Sequence, residues 1–206
     1  MQKALRRKVN VFIWRLRSPS AAELSDQPNH TKCQSPPSTK IVIMQTPSDF
    51  DFIIGSWRVS HRRLNARLQG CGDWTEFQGT SSTRKILGGF GNVEDNVLHL
   101  PDGDVHAAAF RSFDANAQCW AIWWLDGRIP HHLDTPVIGR FSRNFNGSVG
   151  RFLAHDTLDG RPIEIRFIWK NVPGSNPTWE QAFSPDGGIT WETNWTMVFE
   201  PTKQPQ

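Results

Sequence analysis

The chain predicts an all-β fold, a single antiparallel up-and-down β-barrel of about ten strands. Three observations carry that reading. From Phe50 onward, strand-length runs alternate with turn signals, several runs place apolar residues at every second position, and no stretch has sustained helical periodicity. A length of 206 residues suits one core with some chain to spare. Ten Trp and thirteen Phe, with no Tyr, supply bulky apolar rings fit for lining a wide interior.

The first strand is expected over 50–64 and contains Gly55-Ser56-Trp57. The others are expected at about 75–87, 93–100, 105–113, 118–125, 136–143, 148–155, 162–170, 177–184 and 189–199. Between them lie Pro101-Asp102-Gly103-Asp104, Asp114-Ala115-Asn116-Ala117, Asp126-Gly127, Asn146-Gly147, Asp159-Gly160 and Asp186-Gly187-Gly188. These residues tolerate positive φ or cap a tight turn, and most leave only hairpin-length loops. Two strands show the period of two most clearly. Ile163, Ile165, Phe167 and Trp169 alternate with Glu164, Arg166 and Lys170, and Trp191, Thr193, Trp195, Met197 and Phe199 alternate with Glu192, Asn194 and Thr196. The first set of each is expected inside. The best place for a helical turn is Leu64 to Gly70. Ser184-Pro185-Asp186-Gly187-Gly188-Ile189-Thr190-Trp191 matches the Asp-box pattern of sialidase propellers, but one copy builds no propeller and predicts instead a hairpin between the last two strands.

The segment ahead of the barrel is different in kind. Residues 1–43 hold eight Lys or Arg against Glu23 and Asp26, a net of +6 in a chain whose total is +3, which leaves the remainder near −3. The expected plan is therefore a disordered or dispensable basic extension over 1–45, the barrel over 46–201 and a tail over 202–206. Arg6-Arg7-Lys8 followed by Val9-Asn10-Val11-Phe12-Ile13-Trp14 outlines a targeting signal, yet the apolar run is cut by Arg15 and Arg17 and falls short of the ~20 residues a membrane span needs. Ser18 to Lys40 is rich in Ser, Pro, Gln and Asn, a disorder-prone composition. Three readings remain open: an upstream extension ahead of a start at Met44, a transit or membrane-surface segment, or an integral part of the fold.

Gly-x-Trp on a first strand is the signature of calycin barrels such as lipocalins. Together with Trp74-Thr75-Glu76-Phe77, Gly88-Gly89-Phe90-Gly91-Asn92, Trp124-Leu125-Asp126-Gly127-Arg128 and Trp191-Glu192-Thr193-Asn194-Trp195, it resembles an uncharacterised bacterial calycin-like domain family over about 49–200. The resemblance implies a lipocalin-like or fatty-acid-binding-protein-like barrel and brings no established activity. It implies that Gly55 lets backbone approach closely at the closed end and that the Trp57 indole plugs that end. Nitrobindin, a relative in fold, holds haem through a histidine late in the chain. Here no histidine follows His155, so no cofactor is expected.

The expected function is binding or carriage of a small hydrophobic or amphipathic molecule inside the barrel. Trp124, Trp169 and Trp195, on three strands, are candidates for an aromatic wall against a flat apolar ligand. Asp126 and Arg128 flank Gly127 and read either as a solvated turn or as a ligand-orienting pair at the mouth. Glu76, Arg111, Arg166 and Gln181 join them if they point inward, with Arg111 and Arg166 the candidates for an anionic head group. The alternative is an isomerase or cyclase with Glu76, Asp126, Arg128 or Glu180 as acid–base or anion-holding groups.

Other classes lack support in the sequence. The mildly acidic barrel is no nucleic-acid binder by charge, and no membrane insertion is expected. Cys33, Cys71 and Cys119 share no metal-ligand spacing and are odd in number, which suggests free thiols in the cytoplasm and no metal. His131 and His132 are adjacent and point opposite ways, and His155-Asp156 reads as a surface turn. No Gly-x-Ser-x-Gly, phosphate loop or dinucleotide fingerprint is present. A monomer or homodimer is expected, with Trp74 or Trp123 available to an interface.

Overall fold

A computed structural model describes residues 45–144 and 147–202. The basic segment over 1–43 and the Asn146-Gly147 turn therefore lie wholly or partly outside the described residues. The strands are β1 (Gly55–Leu64), β2 (Trp74–Ile86), β3 (Gly91–Leu100), β4 (Gly103–Asp114), β5 (Cys119–Asp126), β6 (Val137–Asn144), β7 (Gly147–Leu158), β8 (Arg161–Val172), β9 (Thr178–Ser184) and β10 (Glu192–Pro201). Each pairs antiparallel with its neighbour in sequence, and β1 pairs with β10 to close the ring. All ten expected strands are present in a closed up-and-down barrel, whose shortest seam is between β5 and β6.

In that ring β4 lies opposite β9, and β5 opposite β10. The β1–β2, β3–β4, β5–β6, β7–β8 and β9–β10 connections share one end, and both chain termini of the barrel lie at the other. The terminal end is packed shut. Asp51–Ile53 form a 3-10 turn that carries Phe50 into the barrel, where its ring stands edge-on to Trp120 and Phe141 at 4.9 Å and to Trp169 at 6.2 Å. Phe152 and Phe52 stack on it at 5.9 Å. Fully burying each such ring contributes about 1.5–3 kcal/mol.

This plug corrects the expected first strand. Phe50 to Ile53 are not its beginning, and β1 starts only at Gly55, where φ is +125°. That angle, in the range glycine tolerates, is the reason for the residue; a Cβ there would meet nothing within 4 Å, so close approach is not. Trp57 is buried as expected, donates its indole N–H to Ile53 O at 2.8 Å and packs edge-on against Phe199. It shares the closure with Phe50, which reaches the middle of the plug.

Two further expectations change. Leu64 to Gly70 contains no helical turn, and residues after β1 form a series of bends with positive φ at Leu68 and Gly70. The β10 alternation holds only for its second half. A bulge between Thr193 and Trp195 shifts the register, so Trp195, Met197 and Phe199 face inward while Thr193 pairs with outward Ala182. In β8 the alternation holds over the expected set, with Ile163, Ile165, Phe167 and Trp169 all inside.

The Asp-box segment forms the expected hairpin between β9 and β10. Asp186 accepts hydrogen bonds from Ser184 Oγ, Thr190 N and Thr190 Oγ1 at 2.6–2.9 Å, and Ser184 Oγ accepts from Gly188 N. The Thr190 hydroxyl and backbone N–H, with Ser184, hold the Asp186 pKa down to about 2.

Candidate functional site

Above the plug the interior opens into a cavity of about 470 Å³, within the range of small-molecule sites. Its lower walls come from residues spaced two apart on neighbouring strands. Ala107 and Ala109 on β4 are small and face Trp179, Gln181 and Phe183 on β9 across the ring. That asymmetry of side-chain volume leaves the space. Trp124 from β5 and Trp195 from β10 meet edge to face at 5.8 Å, and Trp179 lies edge-on to Trp195 at 5.6 Å. Since β5 and β10 are opposite strands, this contact spans the interior and narrows it.

At the floor stands a buried polar cluster. Arg111 on β4 forms an ion pair with Glu94 on β3 and donates to Asn92 Oδ1 at 2.8 Å. Glu94 also accepts from Ser81 Oγ at 2.9 Å. The Arg111 guanidinium lies 5.1 Å from the Phe50 ring centroid and 5.7 Å from that of Trp169. Arg111 Nε and Trp169 Nε1 are buried and have no hydrogen-bond partner among the described residues.

Beneath the mouth, His61 stacks on Phe77 at 4.6 Å, and Trp195 Nε1 donates to its Nδ1 at 3.3 Å. An accepting Nδ1 is an unprotonated one. Burial, with Arg63 nearby, lowers the His61 pKa to about 4. Gly79 makes room for this ring, since a Cβ there would sit 2.7 Å from His61 Nε2.

The mouth is charged on two sides. Arg63 lies over the rings of Phe77 and Trp195, and Arg67 over Phe183, at 5.5–5.7 Å. Burial lowers the pKa of both, and neither has a carboxylate within 4 Å among the described residues. Glu192 Oε1 accepts from Leu68 N at 2.7 Å and so fixes the loop that carries Arg67. Across the opening, Asp134, Asp156 and His132 line the cavity, and burial raises the Asp134 pKa.

Of the sequence-predicted residues, Arg111, Trp124, Asp126, Arg128, Trp169, Gln181 and Trp195 line the cavity. Asp126 and Arg128 form a two-toothed pair at 2.6–3.2 Å, and the Arg128 hydrogen bond lowers the Asp126 pKa. Gln181 donates to Asn194 Oδ1 at 2.8 Å. Two expected candidates point outward. Glu76 has a side chain 76% exposed and faces Arg62, and Arg166 stacks over Trp191 at 4.3 Å on the outer surface. Both alternate with inward neighbours, so strand parity excludes them from the interior. Glu180 also faces outward, bonded to Lys170 at 2.7 Å.

His155 and Asp156 are not a turn but adjacent residues of β7. His155 faces out to Glu164 at 2.6 Å, and Asp156 faces in. His132 lines the cavity while His131 lies in an outer groove with Trp123, Phe110 and Leu133. Trp74 lies under Arg62 at 4.5 Å. Cys71 and Cys119 are free thiols, and no cluster of metal-ligating residues exists among the described residues. Likewise no described helix is long and apolar enough to cross a membrane.

Sequence reasoning missed Glu94, Asn96, Arg63, Arg67, Asp134 and Trp179. In β3 the inward set is Asn92, Glu94, Asn96 and Leu98, and outward positions include Val93 and Val97. The alternation reads in the wrong sense there. A buried acid matched by Arg111 on the next hairpin arm was the available signal.

No protein-family model and no curated protein matches the chain. The ten-strand antiparallel up-and-down barrel is consistent with the calycin-like fold that Gly55-Ser56-Trp57 suggested, at the level of fold alone.

Proposed function

We propose that the barrel binds a small hydrophobic or amphipathic molecule in its interior and serves as a binding or carrier protein. The observation that carries this reading is the cavity of about 470 Å³, shut at one end by the Phe50 plug, walled by Trp124, Trp179 and Trp195, and open between charged groups at the other. Apolar walls with a few fixed polar groups are the usual composition of such sites. The charged rim keeps the opening wetted, and the aromatic zone below it favours apolar rings or chains. Free thiols at Cys71 and Cys119 fit a reducing compartment such as the cytoplasm.

The enzyme reading retains one support, the raised pKa of Asp134 beside Asp156 and His132 at the same mouth. Native mass spectrometry of freshly purified full-length protein separates the two. A carrier retains a lipid-like molecule at one copy per chain. An empty protein that converts a candidate substrate without retaining it would favour the enzyme.

A further inference from the structure

The mouth of the cavity carries positive charge that no acid of the barrel matches directly. Of the four arginines lining the cavity, Arg111 pairs with Glu94 and Arg128 with Asp126, which leaves Arg63 and Arg67. Both are half-buried, and among the described residues neither forms an ion pair or a side-chain hydrogen bond. Glu192, whose charge reaches Arg67, uses Oε1 to accept from Leu68 N at 2.7 Å. The two guanidinium groups are also accessible. Among the described residues, the unpartnered side-chain atoms sealed from solvent are Thr83 Oγ1, Arg111 Nε, Arg166 Nε and Trp169 Nε1, and no nitrogen of Arg63 or Arg67 is one of them. Their N–H groups are therefore within reach of a bound molecule.

Ring faces hold the two cations on one side of the opening. Arg63 lies 5.6 Å from the Trp195 ring centroid and Arg67 5.7 Å from that of Phe183. Trp195 pairs with Gln181, and Phe183 is the next inward residue along β9, so these rings are neighbours on the wall. After burial, the Arg63 charge lowers the Arg67 pKa, and the Arg128 charge lowers that of Arg63. An anion placed here relieves that repulsion and gains charge-assisted hydrogen bonds. Asp134 and Asp156 do not supply it, because they belong to the β5–β6 loop and β7, across the ring from β1 and β2. The Asp134 side chain is 48% exposed and stands 3.9 Å from His132, so water and the imidazole serve it instead. Nor does the floor compete, since Arg111 is already bound to Glu94 and Asn92.

We propose that the barrel takes an amphipathic ligand head-out, with a compact monoanionic group such as a carboxylate or sulfonate held at the mouth by Arg63 and Arg67 and its apolar body directed down the tryptophan wall toward Phe50. This rests on the binding function proposed above and specifies its ligand class and orientation. The acids across the opening disfavour a second negative charge. The head group thus moves from Arg111 at the floor, where the sequence suggested it, to the other end of the cavity.

Two dyes with the same rings test it by fluorescence titration of the full-length protein: neutral N-phenylnaphthylamine and anionic 1-anilinonaphthalene-8-sulfonate. The wild type is expected to bind each saturably at one per chain. Arg63→Gln/Arg67→Gln should weaken the sulfonate by about tenfold or more and leave the neutral dye within about twofold. Arg58→Gln removes an equal charge from an exposed, outward position of β1 and should change neither. Equal weakening of the two dyes, weakening of neither, a matching loss in Arg58→Gln, or a wild type that takes the neutral dye and not the sulfonate would overturn the proposal while leaving the cavity a binding site. Failure of both dyes to bind would instead remove the binding function itself. Should the double variant not fold, Arg67→Gln in the loop after β1 decides alone: a severalfold loss confined to the sulfonate supports the site, and no loss overturns it.

Discussion

His61 sits inside the barrel between Phe77 and Trp195, and its neutral form is the one this setting favours. Its pKa of about 4 lies below the ordinary 6.5, so the unfolded chain takes up a proton more readily than the folded one as pH falls. The resulting contribution to stability is complete above about pH 6.5 and is lost between there and about pH 4. A depression of that size corresponds to about 3 kcal/mol at most. Comparing urea unfolding of the wild type with His61→Gln at several pH values isolates the effect, because the carboxylates titrate alike in both. The wild type should lose more stability than the variant on acidification. Parallel pH profiles would show that His61 does not resist protonation.

At the level of single elements, parity decides function. In β8 a plain alternation runs from Ile163 to Trp169, and the four residues expected inside are inside; past Trp169 a register shift against β7 and a positive φ at Asn171 end it. In β10 one bulge reverses the sense for Trp191 and Thr193, and no residue type in Glu192-Thr193-Asn194-Trp195 marks it beforehand. Polar inward positions on β3 mislead in another way, since Asn92 and Glu94 look like a solvent face until Arg111 is placed beside them. The plug was illegible because Phe50-Asp51-Phe52-Ile53 has strand composition, and only its continuity with Gly55 separates a turn from a strand. By contrast the turn residues made the hairpins, and hence the neighbour order, readable.

β6 shows how tightly one strand is constrained. Its pairing with β5 covers only Trp120↔Gly139 to Ile122↔Val137, so its position depends on β7. A Cβ on Gly139 would lie 1.8 Å from the Arg151 carbonyl oxygen, which is backbone and cannot swing aside. Gly139→Ala is expected to cost more than about 3 kcal/mol, read as a fall in thermal midpoint. A midpoint unchanged within a degree or two would mean that β6 and β7 pair differently.

For the whole molecule, the design is a barrel filled at one end and open at the other. Phe50 fills the axis at the plug against Trp120, Phe141 and Phe152 of the adjacent strands β5, β6 and β7, whereas above it, beside the Trp124–Trp195 contact, the small Ala107 and Ala109 leave space. Ligand capacity therefore depends on small side chains as much as on aromatic ones. The most direct measurement is titration of the full-length protein and of Ala107→Leu/Ala109→Leu with a neutral cavity-seeking dye, N-phenylnaphthylamine, followed by fluorescence. The wild type should bind saturably at one dye per chain, and the variant, folded and of similar thermal midpoint, should bind at least about tenfold more weakly as added methylenes occupy the space. Equal binding by both proteins, or no saturable binding by the wild type, would contradict a ligand-holding interior.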